Sequence, residues 1–293
     1  MTGKDAAAQG PAEHITDAPK AAGGRGPAGG PARPALPAEL VAAVERLCST
    51  DRLLVAMDFD GVMSPLVPRA QDARPLPGSA AAFASLAGLP RTTTALISGR
   101  ALASLRAVAS PPPVSLLIGS HGAEVWLGPN AEPLVLEPAA VELLDEITRI
   151  LEEVAADHAG TAVELKPAGA VLHTRQAADS VAASAVAGAH ARLDDLAGVY
   201  VSEGKRVLEI SVVRADKGQG LRTLQAASQA TAVLFAGDDV TDEDGFAALG
   251  NTDVGVKVGS GQTTAAFRID STEDVPALLE LVLAGRTAAT GVS

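Results

Sequence analysis

Two aspartates separated by one residue follow a short apolar run in the first quarter of the chain. Asp58 and Asp60 come directly after residues 53–57, a continuous apolar segment typical of a strand covered on both faces. At the two-residue period of a strand, both carboxylates can face one pocket. One could act as a nucleophile while the other exchanges protons with a leaving group and with water. Isolated acidic turns are common, so this hypothesis needs partners elsewhere in the chain.

A second acidic segment follows another apolar run. Residues 238–244 contain five carboxylates in seven positions, directly after the predicted strand 232–236. Such charges repel one another unless they are solvated or neutralised, and oxygen ligands beside a buried strand favour a hard cation such as Mg²⁺. The alternative is a solvated helix N-terminus, where acidic residues complement the helix dipole. That alternative suits the last three acidic residues better than Asp238 and Asp239.

Three further side chains are suited to contacts with phosphate oxygens. Ser98 and Arg100 offer a hydroxyl and a guanidinium at the end of an apolar run. Ser98 could also cap the helix that follows, and the two roles are compatible. Lys217 begins a predicted helix, where a cation opposes the dipole. This unfavourable placement suggests that Lys217 contacts a phosphoryl group or Asp58.

The order of apolar segments and turns predicts the elements that position these side chains. Four apolar runs each end in a polar or glycine-bearing turn, and they are residues 53–57, 94–97, 116–118 and 232–236. This pattern predicts an α/β fold with a Rossmann-like parallel sheet. In such sheets the ligand crevice lies beyond the carboxyl ends of the strands, so the four turns should meet there.

The middle of the chain has a different pattern. Two helices, at 137–158 and 177–193, alternate with two hairpins, at 163–174 and 199–210. This predicts a small α+β unit inserted into the parallel-sheet domain. Residues 1–38, rich in Ala, Gly and Pro, are predicted to be a disordered leader. The core is predicted to comprise residues 39–136 and 213–287, the inserted cap residues 137–212, and the tail residues 288–293.

Composition limits the classes of partner. The chain has 293 residues, a net charge of −12 and only 2% aromatic residues, which argues against nucleic acid and anionic lipid as ligands. We find no segment with the length of a membrane span and no signal-peptide pattern, and we expect a soluble cytoplasmic protein. Cys48 is the only cysteine, and we expect it to be a buried apolar group. A monomer is compatible with the sequence.

Together these segments resemble the haloacid dehalogenase superfamily and, in detail, the trehalose-6-phosphate phosphatase family. The resemblance extends from about residue 50 to 275, and its core motifs are Asp58-Phe-Asp-Gly-Val-Met-Ser-Pro65, Ser98-Gly-Arg100, Gly119-Ser-His-Gly-Ala-Glu124 and Gly237-Asp-Asp-Val-Thr-Asp-Glu-Asp244. The cap motifs are Glu164-x-Lys166, His173-x-Arg175 and Gly204-Lys-Arg-Val-Leu-Glu209. The chain departs from the family pattern at Val62, where most relatives have Thr, and at Ser211, where an Arg is frequent.

The resemblance implies a fold with a haloacid dehalogenase-like core and an inserted α+β cap. It also implies Mg²⁺-dependent hydrolysis of trehalose 6-phosphate to trehalose and phosphate through an aspartyl-phosphate, the last step of trehalose synthesis. It implies Asp58 as nucleophile, Asp60 as acid and base, and Ser98 with Lys217 as stabilisers of the transferred phosphoryl group. The implied Mg²⁺ ligands are Asp58, the backbone carbonyl of Asp60 and Asp238, with Asp239 and Asp242 around them. The residues implied to bind the small-molecule substrate are Arg100, His121, Glu164, Lys166, Arg175 and Glu209.

Other functions use similar residues. Another sugar phosphate, such as sucrose 6-phosphate, would require only a different cap surface. A sugar-phosphate mutase would require that Asp60 be shielded from water. A phospho-receiver module would lack both Asp60 and the cap, because it preserves its phosphoryl group. A catalytically inactive sensor of sugar phosphates should have lost one of the four motifs, and all four are intact.

Overall fold

The computed structural model describes residues 36–129, 135–204, 206–213 and 215–291. The predicted disordered leader therefore lies outside the described residues except for its last three positions. Over the described ranges the chain forms a seven-stranded sheet and a four-stranded sheet, with helices packed against both. No helix in these ranges combines the length and apolarity that crossing a bilayer requires.

The larger sheet carries its strands in the order β11-β10-β9-β1-β2-β3-β4. The strands are β1 Leu53–Asp58, β2 Thr92–Ile97, β3 Leu116–Gly119, β4 Glu124–Trp126, β9 Ala232–Gly237, β10 Val254–Val258 and β11 Phe267–Ile269. All neighbouring pairs are parallel except β3 and β4, which are antiparallel. Every residue of β1 and of β9 is buried, which explains their continuous apolar sequence. The predicted parallel-sheet α/β core is confirmed.

Helices cover both faces of this sheet. They are α1 Ala38–Cys48, α2 Pro77–Ala87, α3 Leu102–Ala109, α6 Lys217–Ser228, α7 Asp242–Ala247 and α8 Val275–Thr290. Alternate residues of β1 point to opposite faces of the sheet and belong to two apolar clusters. Val55 belongs to the first cluster, with residues of α1, α2, α3 and α8. Leu54 belongs to the second, with residues of α6 and α7. Cys48 is buried in the first cluster as expected, and burial raises its thiol pKa to about 11.

The smaller sheet has the order β5-β6-β8-β7 and is antiparallel throughout. Its strands are β5 Ala162–Lys166, β6 Gly169–His173, β7 Tyr200–Gly204 and β8 Val207–Ser211, and two helices, α4 Pro138–Asp157 and α5 Asp179–Leu193, belong to the same region. Helix α4 buries Ile147, Ile150, Leu151 and Val154, a helical stripe that packs on the sheet. The assignment of residues 137–212 to a separate inserted domain stays a prediction.

Three strands of the larger sheet were not predicted. Strands β4 and β11 have three residues each, too few for a recognisable period. Strand β10 contains Lys257, a buried lysine in an otherwise apolar run. All three lie towards the edges of the sheet, so the position of the central strands that carry the motifs is unaffected.

Candidate active site

Three carboxylates meet at the carboxyl edge of the larger sheet. Asp58 ends β1, Asp238 follows the neighbouring β9, and Asp242 is the first residue of α7. One oxygen from each lies within 4.8 Å of the others. The Lys217 ammonium, at the start of α6, lies 3.2 Å from Asp58 Oδ2 and 2.7 Å from Asp242 Oδ1. The predicted contact between Lys217 and Asp58 is confirmed.

These four charges are not balanced. Burial raises the pKa of Asp58 well above its usual value, and Asp242 and Asp238 raise it further against the opposing charge of Lys217. Burial and the neighbouring Asp242 raise the pKa of Asp238 to about 6. Burial would lower the pKa of Lys217, but Asp58 and Asp242 raise it overall, so the lysine stays charged. Lys217 contacts Asp58 and Asp242, and Lys257 adds positive charge near Asp238, yet Asp58 and Asp238 keep raised pKa values, so the site can hold an additional cation.

A glycine brings the loop after β1 against this cluster. Gly61 has φ of +80°, and a Cβ added there would lie 2.0 Å from Asp238 Oδ2. Only glycine meets both the conformational and the steric requirement. Val62, the first departure from the family pattern, is completely buried in the core and has no polar function there.

Asp60 is paired with Arg100. Arg100 Nε and a terminal nitrogen donate to the two Asp60 carboxylate oxygens at 2.5 and 2.6 Å. The contact of Arg100 with substrate stays a prediction; in the structure Arg100 lines the cavity and binds the second aspartate of the first motif. Asp60 follows β1 and Arg100 follows the neighbouring strand β2. The sequence predicted that these strand ends meet, but it did not predict that the two side chains bind each other.

The predicted helix cap by Ser98 is wrong. Helix α3 begins at Leu102 with Ala101 at its N-cap and no capping side chain there. Ser98 is buried, and its Oγ accepts from the Arg100 amide at 3.2 Å. The Leu102 amide donates instead to Glu124 Oε1 at 3.3 Å, from a different turn. A tertiary contact thus replaces the local cap, and Ser98 stays at the strand end.

A strained turn carries His121 to the smaller sheet. Ser120 and His121 have φ of 48° and 53°, a left-handed conformation that non-glycine residues seldom adopt. His121 Nε2 lies 3.1 Å from Glu209 Oε2, and the other Glu209 oxygen accepts from Lys166 Nζ at 2.7 Å. Lys166 also donates to the Gly99 carbonyl at 2.9 Å. The two sheets are therefore connected through charged side chains.

The carboxylates of the smaller sheet already have cationic or hydrogen-bonding partners. Burial tends to raise the pKa of Glu209, but hydrogen bonding and charge from His121, together with Lys166, lower it to about 2. Glu164 accepts from His173 Nε2 at 2.8 Å, which lowers its pKa. Their environment is the opposite of that around Asp58 and Asp238.

Most of the predicted site residues line one cavity of about 650 Å³ between the two sheets. Those on its wall are Asp58, Asp60, Ser98, Arg100, His121, Glu164, Lys166, Arg175, Lys217, Asp238 and Asp239. Asp242 lies behind the wall, fully buried, and Glu209 lines an adjoining cavity of about 220 Å³ beside Tyr200. Arg175 donates to the Pro68 carbonyl at 2.8 Å, and Asp239 accepts from the Val240 amide.

Some residues near the site were not identified from the sequence. Arg206, Thr241 and Leu66 line the cavity. Arg206 and Thr241 lie inside motifs that resemble the family, but the sequence analysis assigned no role to either residue, and Leu66 belongs to no motif. Lys257 donates to the backbone of the Asp238 loop. A lysine inside an otherwise apolar run was the feature of the sequence that could have identified it. The hydroxyl of Ser211, the second departure from the family pattern, lies within donating distance of the Ala168 and Val213 carbonyls.

A family model described as trehalose-phosphatase matches residues 56–275. A trehalose-6-phosphate phosphatase of Escherichia coli is 30% identical over 229 residues, which cover 77% of this chain and 84% of that protein. An uncharacterized glycosyl hydrolase of Mycobacterium tuberculosis is 31% identical over 242 residues, 78% of this chain. This chain spans only 18% of the length of the mycobacterial protein.

Solved structures share the fold. The C-terminal domain of a Candida albicans trehalose-6-phosphate phosphatase superimposes with a TM-score of 0.70 at 20% identity, covering 86% of this chain and 99% of that domain. A haloacid dehalogenase-like hydrolase of B. subtilis superimposes with a TM-score of 0.51 at 14% identity, covering 78% and 98%. These likenesses establish a haloacid dehalogenase-like fold. With the match over residues 56–275 and the Escherichia coli relative, they show that the chain belongs to the trehalose-phosphatase family.

Proposed function

We propose that the protein hydrolyses trehalose 6-phosphate to trehalose and phosphate in a Mg²⁺-dependent reaction, the last step of trehalose synthesis. One observation carries the proposal: a cluster of carboxylates with excess negative charge and the polar face of the smaller sheet lie on opposite sides of one cavity. The first can hold a cation and a phosphoryl group, and the second can hold hydroxyl groups. The similarity to the trehalose-6-phosphate phosphatase of Escherichia coli supports this choice of substrate.

The acidic cluster has the chemistry that Mg²⁺ requires. Both Asp242 oxygens are already engaged, one by Lys217 and the other by the amides of Asp238 and Asp239. Asp58 and Asp238 therefore remain as the carboxylate ligands, together with the backbone carbonyl of Asp60. Bound Mg²⁺ would neutralise charge between the Asp58 carboxylate and the phosphate oxygens.

In the first step, the Asp58 carboxylate oxygen attacks phosphorus and the bond from phosphorus to the sugar oxygen breaks. Asp60 supplies the proton that the departing sugar oxygen needs. Arg100 must leave Asp60 before that carboxyl can carry a proton, and the phosphate oxygens offer the guanidinium a second partner. Ser98 and Lys217 donate to the transferring phosphoryl group.

In the second step, Asp60 takes a proton from water and the resulting hydroxide attacks phosphorus. The bond between phosphorus and Asp58 breaks, which releases phosphate and restores the nucleophile. Asp242 supports both steps from behind, because it holds Lys217 and the two amides of the Asp238 loop.

Sugar recognition is assigned to the smaller sheet. Glu164 and Lys166 project from β5 into the cavity, Glu209 from the adjoining wall, and Arg175 from beyond β6. Carboxylates and ammonium groups bind sugar hydroxyls as acceptors and donors. Lys166 and Glu209 are bound to each other and to the core, so substrate must replace some of these contacts.

The test is phosphate release by the purified full chain with Mg²⁺, comparing trehalose 6-phosphate, glucose 6-phosphate and sucrose 6-phosphate. EDTA serves as the control for the metal and Asp58→Asn as the control for the nucleophile. We expect strong preference for trehalose 6-phosphate and loss of activity in both controls. Equal activity on all three would contradict the assignment of the sugar-binding residues. No release from any would contradict the hydrolase.

A further inference from the structure

We propose that Lys257 is a positioning residue that holds the Asp238–Asp239 backbone in the geometry needed to bind the metal ion. This inference rests on the Mg²⁺ site of the proposed function. Lys257 lies in β10 and is 3% exposed. Its ammonium donates to the Asp238 carbonyl at 2.7 Å and to the Asp239 carbonyl at 3.3 Å.

The position of Lys257 follows from the strand register. Lys257 pairs with Gly237, the last residue of β9, so its side chain reaches the loop that begins one residue later. A buried ammonium is costly unless it is hydrogen-bonded and its charge is compensated. The nearest carboxylate oxygen is Glu243 Oε1, at 3.8 Å. That oxygen has no hydrogen-bond partner among the described residues, whereas Glu243 Oε2 accepts from the Thr264 amide and hydroxyl.

The loop is held from two sides. Asp242 Oδ2 accepts from the amides of Asp238 and Asp239, both at 2.9 Å, while Lys257 donates to the carbonyls of the same two residues. The approach is close, because a Cβ added to Gly237 would lie 2.3 Å from Asp242 Cγ. The backbone amides and carbonyls of Asp238 and Asp239 are therefore all hydrogen-bonded. These bonds fix the backbone conformation and with it the direction of the Asp238 side chain.

Lys257 also adds a positive charge beside the cluster without occupying a carboxylate oxygen of Asp58 or Asp238. Lys217 does occupy such an oxygen on Asp58, so the two lysines act differently. Residues that orient metal ligands typically change metal affinity by about 10–100-fold when they are replaced. We expect a change of that size for loss of Lys257.

The experiment measures Mg²⁺ affinity of the full chain by titration calorimetry without substrate. Lys257→Met removes the charge and the donor, and Lys257→Gln keeps a neutral donor in case the first variant does not fold. The matched control is Arg286→Met. Arg286 is also a buried cation that donates to backbone carbonyls, those of Cys48, Thr50 and Arg91, and it lies outside the site. Both Lys257 variants should bind Mg²⁺ at least about tenfold more weakly, with Lys257→Met the more affected.

A second readout separates positioning from general destabilisation. At saturating Mg²⁺, the KM for trehalose 6-phosphate should be nearly unchanged in the folded Lys257 variant. Wild-type affinity for Mg²⁺ in the Lys257 variants would overturn this inference and leave the proposed function intact. Equal weakening in Arg286→Met would also overturn it, as a nonspecific effect. Absence of Mg²⁺ binding by the wild-type protein would contradict the metal assignment in the proposed function as well.

Discussion

The carboxylates at the edge of the larger sheet and those on the smaller sheet have opposite electrostatic environments. Asp58 and Asp238 have raised pKa values, because they are buried together with Asp242 and the positive charges of Lys217 and, near Asp238, Lys257 offset this only in part. Glu209 is also shielded from water, yet its pKa is lowered to about 2 by His121 and Lys166. The first group carries more negative than positive charge and can accept a cation, whereas the second is neutralised by partners within the protein.

The largest effect should come from removing the nucleophile. Asp58→Asn keeps the size of the side chain but cannot form the aspartyl-phosphate, so kcat should fall by more than about 10³-fold. Phosphate release at saturating Mg²⁺ and substrate measures this change, and circular dichroism verifies the fold. Substantial residual activity would show that the first carboxylate of the motif is not the attacking group.

A smaller effect should follow from altering the smaller sheet. Glu209→Gln removes the charge that binds His121 and Lys166, and we expect kcat/KM for trehalose 6-phosphate to fall by about 10–100-fold, mainly through KM. Glu203→Gln is the matched control, because Glu203 lies on the adjacent β7 and binds the half-exposed His190. Equal effects of the two substitutions would remove Glu209 from the set of sugar-binding residues.

The two regions should respond to acid in opposite directions. The pKa of Glu209 falls from 4.5 to about 2 on folding. The ionised carboxylate therefore stabilises the folded protein by about 3 kcal/mol, fully above pH 4.5, and this contribution is lost as the pH falls through about 2. The pKa of Asp238 rises from 3.8 to about 6, so without Mg²⁺ its ionisation destabilises the fold above pH 6 and this effect disappears below 3.8.

Urea unfolding of Glu209→Gln and Asp238→Asn, each compared with the wild-type protein from about pH 7 to about pH 3, measures this difference. Glu209→Gln should be less stable than wild type at neutral pH, by an amount that shrinks on acidification. Asp238→Asn should be more stable than wild type at neutral pH without Mg²⁺. Parallel curves for the two variants would contradict the electrostatic comparison.

The smallest effect should come from a surface ion pair on α4, which is outside both groups of carboxylates. Arg149 binds Glu153 one turn further along α4, and both side chains are about half exposed. Solvent and salt screen such pairs. Arg149→Ala should leave kcat, KM and the unfolding midpoint within experimental error. A clear change in KM would mean that the helices of the smaller sheet influence the cavity.

Much of the site was predictable because it depends on strand ends. An apolar run that stops at an acidic pair places Asp58 at the sheet edge, and the same rule applies to Ser98 and Asp238. The roles proposed for these residues came from the resemblance of their motifs to a known family. The short edge strands were missed, because three residues carry no readable period.

Local sequence patterns specify which residue types stand at the carboxyl ends of which buried strands, because strand burial and period are local properties. How those residues pair depends on the tertiary structure. Arg100 binds Asp60, Glu124 replaces Ser98 as the partner of the α3 amide, and Lys257 binds the Asp238 loop. Each contact joins segments that are distant in sequence or separated by a turn. Its geometry follows from strand order and loop conformation, which no local pattern specifies.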